Sequence, residues 1–277
     1  MNPPAFPPSV RALEAILDAA SDSMGPLMRL YRPFVDGLGN LPRDGRFLLV
    51  GNHTQNSSEV FLIPYFVRRA IGARVRPLAD RQFGRMRGLQ ADLITAYGAV
   101  IGTPDAAHRL MDEDQTILVF PGGAREIAKY KGEEYTLSWH NRSGFARIAI
   151  EHQYPIVPVA LVGGDDVYTS MVSRDSALGR ASRWVSRRLS GRSDIGMPLV
   201  RGIGPTLIPR PQRMYLSFGE PVDTTAGAGV DHEEWTATVK GRVQRDVEVQ
   251  LRTLLQLRES DPFRQLNPIA WPSAATA

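Results

Sequence analysis

The chain has 277 residues, 43% of them hydrophobic and 22% charged, which is enough for one large domain with a substantial core. It has no cysteine, and this excludes disulfides, thiolate metal sites and a cysteine nucleophile. The formal charge of +4 is unevenly placed: between Arg174 and Arg213 stand nine arginines against Asp175 and Asp194, a patch suited to phosphate on lipid or on nucleic acid.

In chain order, Met1-Asn2-Pro3-Pro4 lacks the basic start and long apolar run of a leader peptide. Residues 1–8 are proline-rich and are expected to be disordered. Val10, Leu13, Ile16, Leu17, Ala20 and Met24 follow helical spacing, and Leu27 to Val35 mixes apolar residues with Arg29 and Arg32. Residues 1–44 are therefore read as a tail and small helical element, either packed on the core or touching a membrane. The longest apolar stretch, Val60 to Val67, has eight residues, against the ~20 needed to span a bilayer. The expectation is a cytoplasmic protein, soluble or peripheral on a membrane face.

From Arg46 onward strand-like and helix-like segments alternate. Strands are predicted at Phe47–Val50, Val75–Ala79, Ala99–Ile101, Thr116–Phe120, Ile156–Val162 and Met214–Phe218, and helices near 59–70, 82–95, 104–113, 142–152 and 176–189. Alternation of this kind predicts an α/β domain over 45–260, with a mixed, largely buried sheet flanked by helices. A long C-terminal helix follows from Asp231 and Glu234 as a capping box and from Trp235, Val239, Val243, Val247, Leu251 and Leu255 at four-residue spacing. Residues 261–277 read as a loose tail.

Two stretches carry chemistry. Leu48-Leu49-Val50-Gly51-Asn52-His53 reads as a buried strand ending in a turn, followed by a helix entered through Ser57 or Ser58 as N-cap. A histidine just past a strand end, with Glu59 about one helical turn away, can act as an oriented general base. Phe120-Pro121-Gly122-Gly123-Ala124-Arg125-Glu126 follows another strand; its glycines permit close backbone approach, and Arg125 can hold a carboxylate or phosphate or pair with Glu126 or Glu133. His140, near the glycine loop, is a second candidate contact. No His-Glu-x-x-His pattern or acid cluster suggests a metal, no Gly-x-Ser-x-Gly elbow suggests a serine hydrolase, and no recognisable nucleic-acid motif accompanies the arginines.

His53 with its following acid, Gly98-Ala99-Val100-Ile101-Gly102-Thr103, Phe120-Pro121-Gly122-Gly123-Ala124-Arg125 and Ile156-Val157-Pro158-Val159 form an ordered set over roughly residues 45–220. This set resembles the motifs of the glycerolipid (lysophospholipid-like) acyltransferase superfamily, and the Pro-Gly-Gly-Ala-Arg-Glu variant looks most like its neutral-lipid branch of monoacyl- and diacylglycerol acyltransferases and phytyl ester synthases. The family's first motif is His-x4-Asp, whereas here position 58 is Ser58 and the acid comes one residue later, at Glu59. Gly122 replaces a glutamate of the third motif, and the middle motif lacks the arginine that often holds an acceptor's phosphate. The resemblance implies transfer of a fatty acyl group from acyl-CoA or acyl-carrier protein to a lipid alcohol acceptor. His53 and Glu59 would be catalytic, Gly122, Gly123, Arg125 and Ser58 would bind substrate, no cofactor or metal would be required, and an anionic membrane surface would meet the basic stretch. The alternatives it leaves are a lysophospholipid acyltransferase and a non-catalytic lipid- or acyl-CoA-binding member.

Overall fold

A computed structural model of the chain describes residues 7–190 and 198–273. The strands are β1 Phe34–Asp36, β2 Leu48–Gly51, β3 Val75–Ala79, β4 Val100–Ile101, β5 Thr116–Val119, β6 Ile156–Val162, β7 Thr169–Ser170, β8 Val200–Arg201 and β9 Tyr215–Phe218. The helices are α1 Pro8–Ser23, α2 Gly25–Tyr31, α3 Glu59–Ile71, α4 Leu89–Tyr97, α5 Pro104–Asp112, α6 Ala124–Ile127, α7 Gly144–Glu151, α8 Ala177–Ser190 and α9 His232–Ser260.

A seven-stranded sheet runs in the order β1-β9-β6-β2-β5-β3-β4. Only the β6–β9 pairing within it is antiparallel, so β1 and β9 oppose the other five strands. Strand β2 lies centrally between β5 and β6, and all four of its residues are buried. Leu48 and Val50 face the cluster made with α5, α7 and α9, while Leu49 faces the opposite cluster with Leu62, Ile63 and Val67 of α3. Each fully buried aliphatic side chain of this kind contributes ~1.5–3 kcal/mol. Burial on both faces explains why β2, β5 and β6 read as unbroken apolar runs rather than as alternation.

The α/β class, all six predicted strands (β2, β3, β4, β5, β6 and β9) and the long last helix agree with the sequence reading. Asp231 caps α9, its Oδ1 accepting from the amides of Glu233 and Glu234, each at 2.9 Å. Other expectations shift. The segment after Leu27 holds a short helix and then an edge strand, β1, because Arg32 takes a left-handed conformation (φ 39°) that ends α2. The helix expected over 82–95 divides into a 3₁₀ turn, Arg81–Arg85, and α4, with Gly88 between them in a positive-φ conformation (φ 64°). Of the proline-rich start, residues 1–6 lie outside the described residues, and Pro8 opens α1. Between β6 and β9 the chain makes an unforeseen two-stranded sheet, β7–β8, beside α8; Arg192 and Asp194 of the basic stretch lie outside the described residues.

The loose tail also needs correction at its start, where Asp261 and Phe263 are buried. Asp261 receives Arg213 Nη1 and the Tyr215 hydroxyl on one oxygen, each at 2.6 Å, and the Phe263 amide on the other at 2.9 Å. Burial alone would raise this carboxyl. The hydrogen bonds from Tyr215, Phe263 and Arg213 overrule it and hold the group below the usual carboxylate range. Removing one partner strands a buried charge, so Arg213→Leu should cost ~3–5 kcal/mol of unfolding free energy in denaturant titration. In the wild type this contribution is complete above the ordinary aspartate range and is lost as pH falls through the lowered value. A variant with an unchanged midpoint and unchanged acid sensitivity would contradict the pairing.

Candidate active site

The carboxyl ends of β2, β5 and β6 meet at one edge of the sheet, and the chain leaves β2 for β3 on one side while β6 lies on the other. Such a switch point leaves a crevice beyond the strand ends. Gly51 ends β2 against β6, where a Cβ would meet Val159 O at 2.6 Å. Asn52 then continues the ladder with its side chain, donating to Leu161 O (3.0 Å) and accepting from Leu161 N (2.9 Å). This fixes the peptide that presents His53.

His53 Nδ1 is hydrogen-bonded to Glu59 Oε1, and Thr54 Oγ1 donates to Glu59 Oε2. The Glu59 side chain is fully buried at the first turn of α3, and His53 keeps 12% of its side-chain surface exposed. The structure thus brings together the two residues proposed as the catalytic pair, the extra residue in the loop being absorbed by Ser57 in a left-handed conformation (φ 56°). The His53 ring stacks on Phe120 at 4.5 Å between centroids with 17° between planes. Its Nε2 has no hydrogen-bond partner among the described residues. One nitrogen is anchored to a buried acid and the other is left unpartnered on a side chain that keeps some exposure, the arrangement an oriented proton acceptor requires.

Three buried charged residues that the sequence reading did not place hold the loop from beneath. Glu126 accepts from His53 N (2.8 Å) and Ser138 N (2.7 Å), while burial pushes its carboxyl above the usual range against those hydrogen bonds. Lys129 Nζ donates to His53 O (3.0 Å) and to Asp165 Oδ2 (2.6 Å). Asp165 in turn accepts from the amides of Gln55 and Tyr135, each at 2.8 Å. Both backbone groups of His53 are therefore held by buried side chains from outside its loop. The available signal was the charge of Glu126 and Lys129 set directly after an apolar strand and a double glycine.

The glycine loop serves this scaffold. At Gly122 a Cβ would lie 2.1 Å from Glu126 Cδ, so only glycine lets the glutamate pass beneath it. Gly123 adopts φ 54° and ψ −144°, a conformation open essentially to glycine. Its amide closes a turn onto Phe120 O at 3.0 Å and is thereby engaged within the loop. Arg142 Nη1 clasps the same turn through Pro121 O (2.8 Å) and Gly122 O (3.0 Å). Arg125 is half-buried on α6, next to Glu126, which accepts from the His53 and Ser138 amides. Ser58 begins α3 without a side-chain cap, its Oγ lying 3.7 Å from Met214 Sδ, and Asn56 Oδ1 accepts the Ser58 amide at 3.2 Å instead. His140 is exposed, and its carbonyl receives Lys240. No group of three or more His, Asp or Glu side chains suited to a metal occurs among the described residues.

Residues 32–162, which contain the whole His53 loop and the glycine loop, match the family model described as Acyltransferase. Over this stretch the chain is similar to that acyltransferase family. It is 29% identical over 257 residues to phytyl ester synthase 1, chloroplastic, and 30% identical over 259 residues to phytyl ester synthase 2, chloroplastic, both of Arabidopsis thaliana, with 84% of this chain covered in each case. The chain spans only 35% and 36% of the lengths of those two proteins. Among solved structures, the 1-acyl-sn-glycerophosphate (LPA) acyltransferase PlsC from Thermotoga maritima superimposes with a TM-score of 0.46 at 19% identity, covering 87% of this chain and 79% of that one.

The support beneath the His53 loop is testable without any substrate. Gly122→Ala drives a methyl into Glu126 and should lower stability by ~1–3 kcal/mol, as overpacking does. Gly144→Ala, whose added methyl meets nothing within 4 Å, is the control and should leave the unfolding midpoint near wild type. Equal effects of the two changes would show that the Glu126 passage does not constrain position 122.

Proposed function

We propose that this chain is an O-acyltransferase that moves a fatty acyl group from acyl-CoA or acyl-carrier protein to the hydroxyl of a neutral lipid alcohol. The observation that carries the reading is the anchored imidazole: His53 Nδ1 on buried Glu59, with Nε2 unpartnered on a partly exposed ring. In the reaction, Nε2 accepts the acceptor's hydroxyl proton as its oxygen bonds to the thioester carbonyl carbon. The carbon–sulfur bond then breaks, and the leaving thiolate takes the proton back from the imidazolium. Glu59 stabilises that imidazolium and fixes which nitrogen is free. In this reading Gly122, Gly123, Arg125 and Ser58 serve as substrate contacts.

Two observations favour a neutral acceptor. Ile101-Gly102-Thr103 offers no arginine where a phosphate-bearing acceptor would need one. The names of the two plant relatives also state the synthesis of phytyl esters, and a phytyl ester is an ester of a long-chain alcohol that carries no phosphate. Labelled long-chain acyl-CoA offered with diacylglycerol, monoacylglycerol, a long-chain alcohol and lysophosphatidate should label the neutral acceptors preferentially. His53→Ala should lose ~10²–10⁴-fold of turnover with the fold intact, and Glu59→Gln should fall in the same direction. Preference for lysophosphatidate would overturn the acceptor class, and an unchanged His53→Ala would overturn the base. Wild type that binds acyl-CoA without turnover would make the chain a binding protein.

The same reading places the enzyme at a lipid surface. No described helix is long and apolar enough to cross a membrane. Helix α8, in the segment that follows β6 at the crevice end, exposes Leu178, Trp184 and Val185, and the Arg188 guanidinium lies 5.5 Å from the Trp184 ring centre. Basic side chains near an anionic leaflet contribute ~1 kcal/mol each. Sedimentation with anionic vesicles should therefore weaken as salt is raised and should weaken further in Trp184→Ala. Binding indifferent to salt and to lipid charge would remove α8 as the docking face.

A further inference from the structure

A second cleft, of about 560 Å³, lies between α2 and the middle of α3. Four guanidinium groups line it, those of Arg29, Arg32, Arg69 and Arg213, and no carboxylate does. Arg213 is neutralised from behind by Asp261, and Arg32 rests near the rings of Phe263 and Trp271, 5.7 and 5.9 Å from their centres. Arg29 and Arg69 form no hydrogen bond or ion pair among the described residues, and Arg69 lies over the Tyr65 ring at 5.6 Å from its centre.

Nearby arginines behave differently. Arg68, next in sequence to Arg69, is held by Asp18 and Asp22 of α1, and Arg74 is held by Glu14. The acids of α1 are thus spent outside the cleft, and the positive charge within it is left for a ligand. Like charges gathered at one mouth repel, and a phosphate bound between planar guanidinium forks relieves that repulsion with charge-assisted hydrogen bonds. Met28 and Phe66 supply an apolar wall beside the charge.

We propose that this cleft binds the phosphate of an amphiphile, with its apolar or extended portion lying along Met28 and Phe66. Its place narrows the source to two. Arg69 stands about 15 Å along the α3 axis from Glu59, so the phosphates of a CoA thioester could be held here while its acyl end reaches His53. A phospholipid headgroup drawn from the surface beside α2, which exposes Leu27 and Leu30, is the other source.

The test is calorimetric titration of the full chain carrying His53→Ala, so that no turnover occurs, with CoA, palmitoyl-CoA, dihexanoylphosphatidic acid, inorganic phosphate and neutral decanol. The same titrations are repeated with Arg29→Gln and Arg69→Gln added; both side chains are exposed, so the fold should survive, and circular dichroism checks it. Loss of two charge-assisted contacts should weaken the phosphate ligands by roughly tenfold or more and leave decanol unaffected. Weakening confined to CoA and palmitoyl-CoA assigns the thioester donor, and weakening confined to phosphatidic acid assigns the headgroup. No binding by any phosphate ligand, or equal binding by the arginine variants, overturns the proposal. The readout is heat of binding, so a wild type without acyl transfer would leave the result standing.

Discussion

The Glu59 carboxylate is the constraint from which the site follows. A fully buried carboxylate is tolerated only when its oxygens are engaged, and here His53 Nδ1 and Thr54 Oγ1 engage one each. Those two partners sit on the loop that leaves β2, so the loop must fold back over the start of α3, with Ser57 in its left-handed turn. The acid that positions the imidazole is in this way also the group that fixes the local chain path. His53 is oriented because Glu59 has nowhere else to find its hydrogen bonds.

The rest of the domain holds this arrangement still. Strand β2 is central and covered on both faces, so its end cannot drift, and Asn52 ties the next residue to β6. Beneath the loop, Glu126 comes from the segment after β5, Lys129 from just beyond α6 and Asp165 from beyond β6, each reaching the His53 loop. Buried charges are costly, and this network contains hydrogen bonds to the amides of His53, Ser138, Gln55 and Tyr135. The double glycine is best understood as part of this support: Gly122 makes room for Glu126, and Gly123 turns the chain into α6.

How far the site was legible depended on whether its cause was local. The apolar runs of β2, β5 and β6, the His53 turn and the helix after it follow from near neighbours in sequence, and the structure has them. The Glu59 pairing was legible as a reach across six residues. Lys129–Asp165 and Glu126–His53 were not, because they join positions 36 and 73 apart and depend on strand order, which a single sequence does not display. The antiparallel direction of β9, itself expected as a strand, and the edge strand β1 were hidden for the same reason. The start of the expected tail is ordered by Arg213 and Tyr215, to which Asp261 is joined over 48 and 46 residues.

Likeness to the acyltransferase family model and the geometry both support the proposed acyl transfer, whose chemistry rests on which nitrogen of His53 is free. Nitrogen-15 NMR of the histidine ring tests this most directly, comparing the neutral imidazole of wild type with that of Glu59→Gln. The geometry requires the proton on Nδ1, toward Glu59, with Nε2 unprotonated, and requires the glutamine variant to lose that preference. A proton resident on Nε2 in the wild type, or a tautomer unchanged by the variant, would contradict the role assigned to Glu59 and with it the assignment of His53 as the base.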